Sequence, residues 1–287
     1  MMTDRRSAIL QTSWLVLKRT VVKFFDDSGP FLASGLAFDL LLSSVPFSLL
    51  VVSALAYALG SSALALDMLQ AVLQELLPTT RRAFTESLSV VLEHRGLVGF
   101  LGGALFFLVS TFIFGSARKV LNIVFQVPAP RSFFKGKATD VLVMLITSGL
   151  LALMIALVSL LSLTEGFLER FPRLGAMIGP GWLFAGDVLG FLFTLALFYL
   201  LYRYCPDKTL QSPAIFVASF SGTALFELSK WGFAWYVELL QRIMGPYGAV
   251  GAIFFFLLWA YYASAVLILG AEIGWVLQKE LPSSVER

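Results

Sequence analysis

Twenty-three consecutive residues, Val141 to Leu163, carry no charged side chain and no proline. In hydrocarbon every backbone N–H and C=O must be paired within the segment, and an α-helix of about 20 residues meets that condition while crossing the bilayer. Five further stretches have the same character: about Phe31 to Leu59, Gly96 to Ser116, Trp182 to Tyr202, Pro213 to about Lys230, and Gly248 to Leu277. The last is long enough to tilt. Over residues 1–287 the expectation is a single transmembrane domain of all-α class, a polytopic bundle of about six transmembrane helices. Composition agrees: 58% of residues are hydrophobic and 14% charged, against about 25% charged in soluble domains.

The first 30 residues lack a continuous apolar core and a small-residue cleavage site, so they do not read as a cleaved signal peptide. The first span is expected to direct insertion itself. Ile9, Leu10, Trp14, Leu17, Val21, Phe24 and Phe25 recur at helical spacing, with Arg19 and Lys23 elsewhere on the turn. That pattern suits an interfacial helix on the inner leaflet or one packed on the bundle. Ala63 to Leu77 and Ala83 to Leu92 read as two short amphipathic helices, broken at Pro78-Thr79-Thr80, that cap the outer side.

Orientation follows from the basic residues flanking the spans. Fourteen of the 21 Lys and Arg fall on the side of the N-terminus, the segment Arg118 to Lys137, Arg203, Lys208 and the C-terminus; seven fall on the other. The segment Arg118 to Lys137 carries five bases and no acid. Both termini are therefore expected in the cytoplasm. The net charge of +3 is spread in short clusters, whereas a nucleic-acid binder concentrates its bases on one face. One cysteine, Cys205, and one histidine, His94, offer no disulfide and no His/Cys metal site, and no cofactor is expected.

Asp39 lies nearly two turns into the first span, where an ionised and unpaired carboxylate costs about 2.5 to 3.5 kcal/mol. Asp39, Ser43 and Pro46 share a helix face, and the proline frees a carbonyl one turn earlier, so the three are candidates to line a polar pathway. The other reading is an acid that only fixes packing. Asp187 stands between Gly186 and Gly190, a spacing that admits close helix approach, as do Gly99 with Gly103 and Gly270 with Gly274. Glu227 and Lys230, spaced i, i+3, form either an ion pair on the pathway or an interface pair beside Trp231, Trp235 and Tyr236. Glu272, towards the end of the sixth span, reads as a gate or an interface residue.

Leu36-Ala37-Phe38 with Ser43 and Pro46, Asn122 and Arg131 in the basic segment, Leu201-Tyr202-Arg203 with Pro206, and Tyr247-Gly248 through Trp259 to Gly270-Ala271-Glu272 follow one another in a recognisable order. In these features the chain resembles the YihY/virulence factor BrkB family, over nearly its whole length. The resemblance implies a bacterial inner-membrane protein of six helices, from a family once labelled ribonuclease BN and without a well-defined activity. It implies shared positions at Arg203 and Glu272. At Asp39 this chain departs from the family's usual uncharged residue, which separates Asp39 from any family-wide mechanism.

Metal-dependent phosphodiester hydrolysis requires clustered His and carboxylate ligands, and the scattered acids here provide none, so no enzyme is expected. Intramembrane acids in a chain without an extramembrane domain point to a transporter or exporter of an ion or small polar solute, possible coupling being to protons or cations. The alternative is a non-transporting envelope protein that binds membrane lipids or a protein partner. Its small-residue faces permit homo-oligomers.

Overall fold

The computed structural model describes residues 2–58, 95–169, 172–244 and 248–280. The expected short helices at Ala63 to Leu77 and Ala83 to Leu92, and His94, lie outside the described residues. The described chain is all-helical: α1 (Met2–Asp26), α2 (Gly29–Ala58), α3 (Arg95–Val124), α4 (Phe133–Glu169), α5 (Pro172–Tyr204), α6 (Ser212–Met244) and α7 (Gly248–Glu280). α2, α3, α4, α5 and α7 are long and apolar enough to cross a membrane. α6, the expected fifth span, has the length, but Ser219, Ser221 and Thr223 together with Glu227 and Lys230 keep its apolarity below that of the other five.

Only 11 to 33% of each crossing segment is buried against protein. Phe100, Phe112, Leu142, Ile155, Leu160 and Val188 all point outwards. So much contiguous apolar surface is incompatible with water and is what lipid-facing helices present.

The helices are longer than the expected spans, and the basic segment is correspondingly shorter. Arg118 and Lys119 extend α3, while Lys135 and Lys137 lie in the first turns of α4, so the connection between the two helices runs only from 125 to 132. α3 stops in a Schellman arrangement: Val127 N–H donates to Asn122 C=O at 2.9 Å and Gln126 N–H to Ile123 C=O at 3.0 Å, with Gln126 left-handed at φ 51°. Glycine usually takes that position, and Pro128 then prevents the helix from resuming. α1 turns into α2 at Ser28, whose φ of 59° is also left-handed.

The chain divides into two compact units. The first comprises residues 1–30, 117–228 and 265–287, and the second comprises 31–116 and 229–264. In the second, Phe47 meets Phe106 at 5.3 Å between ring centres, and Phe233 meets Trp259 at 4.9 Å. In the first, α4 lies along α5, and α6 crosses α7 through small residues. A methyl group on Gly270 would stand 2.9 Å from the Gly222 Cα, and one on Gly274 would stand 3.1 Å from the Ala214 carbonyl oxygen. Close approach at Gly270 and Gly274 is therefore as expected. At Gly186 and Gly190 it is not: a methyl on either would meet nothing within 4 Å, because that face of α5 is turned away from the described protein.

The two sides of α1 differ in burial. Thr20, Lys23 and Phe24 are buried, whereas Trp14, Leu17, Val21 and Phe25 are exposed. Its apolar stripe is left uncovered and its lysine is turned into the protein.

Candidate functional site

Among the described residues the densest polar arrangement lies in the first compact unit, where the end of α1, the end of α3, the start of α4, the α5–α6 connection and the last turns of α7 meet. It has two parts, each built around a buried acid.

Glu272 on α7 is completely buried. Its Oε2 lies 2.7 Å from the Lys23 Nζ. Lys23 also pairs with Asp27 one turn along α1 and donates to the Val124 carbonyl at 2.8 Å, one of the acceptors left over at the end of α3. The Lys23–Glu272 approach is an ion pair without hydrogen-bond angles, so neither oxygen of Glu272 has a hydrogen-bond partner among the described residues. The Trp275 indole, one turn beyond Glu272, lies 4.3 Å from the Lys23 Nζ and 4.0 Å from the Lys279 Nζ, both within cation–π range. One lysine thus faces two carboxylates, Glu272 closed to water and Asp27 partly open to it.

In the second part Arg118 and Asn122 share a face of α3 at i, i+4. The Arg118 Nε donates to Asp140 Oδ1 at 2.8 Å, with the guanidinium lying over Gly136, where a side chain would collide with it. Asp207, in the α5–α6 connection, accepts from Asn122 Nδ2 at 2.8 Å, the Arg131 backbone N–H at 3.0 Å and Arg118 Nη1 at 3.4 Å. Its own N–H donates to Asn122 Oδ1 at 2.8 Å, giving a two-point clasp between helix and loop. The Arg131 Nε is 3.7 Å from Asp207 Oδ1, and Arg131 Nη1 donates to Thr139 at 3.2 Å. Beside them Cys205 is buried, and burial, reinforced by Asp140, pushes its thiol up to about 12.

Further bonds tie the same end together. Arg203 Nη1 donates to Thr209 Oγ1 at 3.1 Å, Gln211 N–H to Gln278 Oε1 at 2.7 Å, and the buried Tyr202 hydroxyl to the Leu267 carbonyl at 2.7 Å. The chain connections at this end are held by side chains from neighbouring helices.

The residues proposed from sequence are placed as follows. Glu272 and Arg203 fall within this arrangement. Asp187 is exposed at the start of the α5 crossing segment. Glu227 is half-buried and Lys230 exposed on α6. In the second unit Asp39 is half-buried, with no hydrogen bond or ion pair to another described residue, and Pro46 is buried inside α2. Ser43 donates to the Leu40 carbonyl of its own helix at 2.7 Å, so its hydroxyl hydrogen is not turned outwards to Asp39's face. Sequence reasoning missed Lys23, Asp27, Arg118, Asp140 and Asp207 as members of a site. Arg118 and Asn122 at i, i+4 beyond a charge-free stretch of 22 residues, and Asp140 immediately before the 23-residue run Val141 to Leu163, were the available signals.

The outward apolar faces, the crossing helices and the buried ionic network at one end define a multi-pass α-helical membrane protein. The family model described as Virulence factor BrkB matches residues 20–286, and the chain belongs to that family. It is 28% identical over 261 residues to a UPF0761 membrane protein of Chlorobium limicola, covering 89% of this chain and 57% of the relative. It is 30% identical over 254 residues to a UPF0761 membrane protein of Chlorobium phaeobacteroides, covering 86% of this chain and 54% of the relative. With one from Pseudoalteromonas atlantica the identity is 25% over 271 residues, covering 93% and 88%. The chain thus spans a little over half the length of the Chlorobium relatives. No solved structure matches it.

Proposed function

We propose that this protein moves an ion or small polar solute across the bacterial inner membrane, coupled to protonation, and that Glu272 carries the proton. The observation behind this reading is the burial of Glu272 on a membrane-crossing helix beside Lys23, which also pairs with Asp27. One base between two acids leaves room for one proton, and a buried carboxylate in a crossing helix is costly to keep without a use. Protonating Glu272 removes its attraction for Lys23. Lys23 anchors α1 to both α3 and α7, so gain or loss of one proton would loosen or tighten that anchor. Asp39 is the second candidate for the pathway.

In this reading the basic end of the molecule, with both termini, is cytoplasmic, as the fourteen-to-seven distribution of Lys and Arg favours. The reading involves no enzymatic step and no nucleic acid; the partners are membrane lipids, the transported solute and, through small-residue faces, other copies of the chain. The uncovered apolar stripe of α1, with Trp14 66% and Phe25 63% exposed, favours a second reading, a non-transporting envelope protein that binds lipid or a protein partner.

The test is reconstitution of the full chain into liposomes and measurement of proton-linked flux over a panel of ions and small polar solutes, comparing wild type with Glu272→Gln and Asp39→Asn. Flux lost in folded Glu272→Gln and kept in Asp39→Asn is the expected result. Flux kept in Glu272→Gln assigns the proton elsewhere. No flux from folded wild type over the whole panel overturns transport in favour of the second reading.

A further inference from the structure

Glu272 is closed to solvent, so a proton bound for it must be handed on by a neighbour. Three elements bring polar groups to it or to its partner: α1 gives Lys23 and Asp27, α3 gives the neutral Val124 carbonyl, and α7 gives Lys279 across the Trp275 ring. Lys23 touches both acids, since Asp27 Oδ2 and Glu272 Oε2 each lie within 2.7 Å of its Nζ. The two carboxylates are therefore no more than about two hydrogen-bond lengths apart, a gap that one water molecule spans. An ammonium has three donors and no acceptor, so Lys23 cannot take up a further proton, whereas either carboxylate can.

Asp27 differs from Glu272 in its access to water. It keeps 17% side-chain exposure and stands on the wall of a cavity of about 540 Å³ between α1 and the end of α7, wholly within the first compact unit. That volume has room for on the order of ten water molecules at about 30 Å³ each, and Lys18, Arg19, Gln126 and Lys279 on the wall give them polar partners. Asp26 also lines the cavity, but Lys23 pairs with Asp27 and Glu272 and not with Asp26. Among the described residues Asp27 is thus the acid that joins the cavity to the buried carboxylate.

We propose that Asp27 relays protons between the water of this cavity and Glu272, and that Lys23 holds the two carboxylates in place for the transfer. The inference rests on Glu272 as the proton carrier and adds the route by which it is loaded. A proton from cavity water adds to the Asp27 carboxylate. It then passes to Glu272 Oε2, directly or through one water, and Asp27 returns to its ionised form paired with Lys23. Lys23 keeps its own protons throughout. The cavity lies at the basic end of the molecule, so in this reading Glu272 is loaded from the cytoplasmic side.

The full chain in lipid nanodiscs, taken through a rapid drop in pH and followed by time-resolved infrared spectroscopy, tests the route. The band to follow is the carboxylic C=O stretch that Glu272→Gln removes. Each variant is brought to a pH at which its band reaches full height, so that rates and not equilibria are compared. Asp27→Asn should slow the rise of the band by about 100-fold or more, the contribution of a positioned proton donor. Asp27→Glu should keep a fast rise, and Asp26→Asn should leave the rate unchanged. Sodium formate, a weak acid small enough for the cavity, should restore the rate in Asp27→Asn in proportion to its concentration, which a variant that merely distorts the fold would not show. Circular dichroism of each variant establishes that a slow rise is not loss of fold, and Asp27→Ser serves the same comparison where Asp27→Asn does not fold. A rate that loss of the Asp27 carboxylate leaves unchanged, or a slowing that formate does not restore, overturns the relay while leaving Glu272 as the carrier. Absence of the band from folded wild type overturns the carrier, and the relay with it.

Discussion

Replacing Lys23 by Met removes a charge while keeping most of the side chain's length. What it strands is unequal. Asp27, at 17% side-chain exposure, can take up water in place of the ammonium, whereas Glu272, at 0%, cannot. Removing one partner of a buried pair costs about 3 to 5 kcal/mol, because the remaining charge stays desolvated. Glu272→Gln acts differently: Lys23 keeps Asp27 and the Val124 carbonyl, so the loss is about 1 kcal/mol, that of an ordinary polar contact. The two substitutions should therefore be strongly non-additive. The double variant no longer buries a carboxylate at 272 and should recover about 2 kcal/mol or more of the Lys23→Met loss. Equilibrium unfolding in mixed micelles, followed by far-ultraviolet circular dichroism, measures all four proteins, with Lys119→Met as the exposed control. The reasoning fails if Lys23→Met costs no more than Lys119→Met, or if the double variant loses the sum of the single losses.

The Asp207 clasp makes a parallel case: Asp207→Ala leaves Arg118 with Asp140 alone and unpairs the Asn122 Nδ2 while the backbone N–H at 207 keeps Asn122 Oδ1, a loss of about 3 kcal/mol by the same unfolding assay. Gly270→Ala should destabilise through its approach to Gly222, whereas Gly186→Ala, with open space around it, should stabilise by up to about 1 kcal/mol through helix propensity; melting temperatures of the two should move in opposite directions. Cys205 should resist maleimide at pH 8 in the folded protein and react once the protein is unfolded in dodecyl sulfate, which mass spectrometry reads directly. The folded thiol is raised from 9.0 to about 12, so its protonated form is favoured by folding. Its contribution to stability is complete below 9, then falls as pH rises towards 12, and Cys205→Ala should flatten that part of the stability profile.

The crossing helices were legible because their signal is redundant: a 23-residue run from Val141 to Leu163 without a charge admits one structure in lipid. The ends of the helices were not, because charge was read as a mark of solvent. That reading ends the second span at Ser116 and begins the third at Val141, leaving Arg118, Lys119, Lys135 and Lys137 outside both, yet all four are helical. For Arg118 the reason is its pairing with Asp140 and Asp207, which removes the penalty of burial and lets α3 continue to Val124. The partners come from 22 and 89 residues away, and nothing in local composition announces them.

The same blindness shaped the site. Depth within an apolar run made Asp39 and Asp187 conspicuous, but depth measures what an unpaired charge would cost and not whether a partner exists. The buried acids that the fold sets against a base, Glu272, Asp140 and Asp207, stand near helix ends, where sequence alone allows either water or a partner. Lys23 is the sharpest case. Trp14, Leu17, Val21 and Phe25 of α1 are apolar and uncovered while Lys23 is buried, so the helix is turned opposite to the orientation expected of an amphipathic segment packed on a soluble core. That inversion is what a lipid surface permits: the apolar stripe needs no protein cover, and the polar side of α1 is free to carry the lysine to Glu272. The burial of Lys23 and the exposure of Trp14, Leu17, Val21 and Phe25 are thus one fact, and moving α1 out of lipid should weaken the Lys23–Glu272 pair along with it.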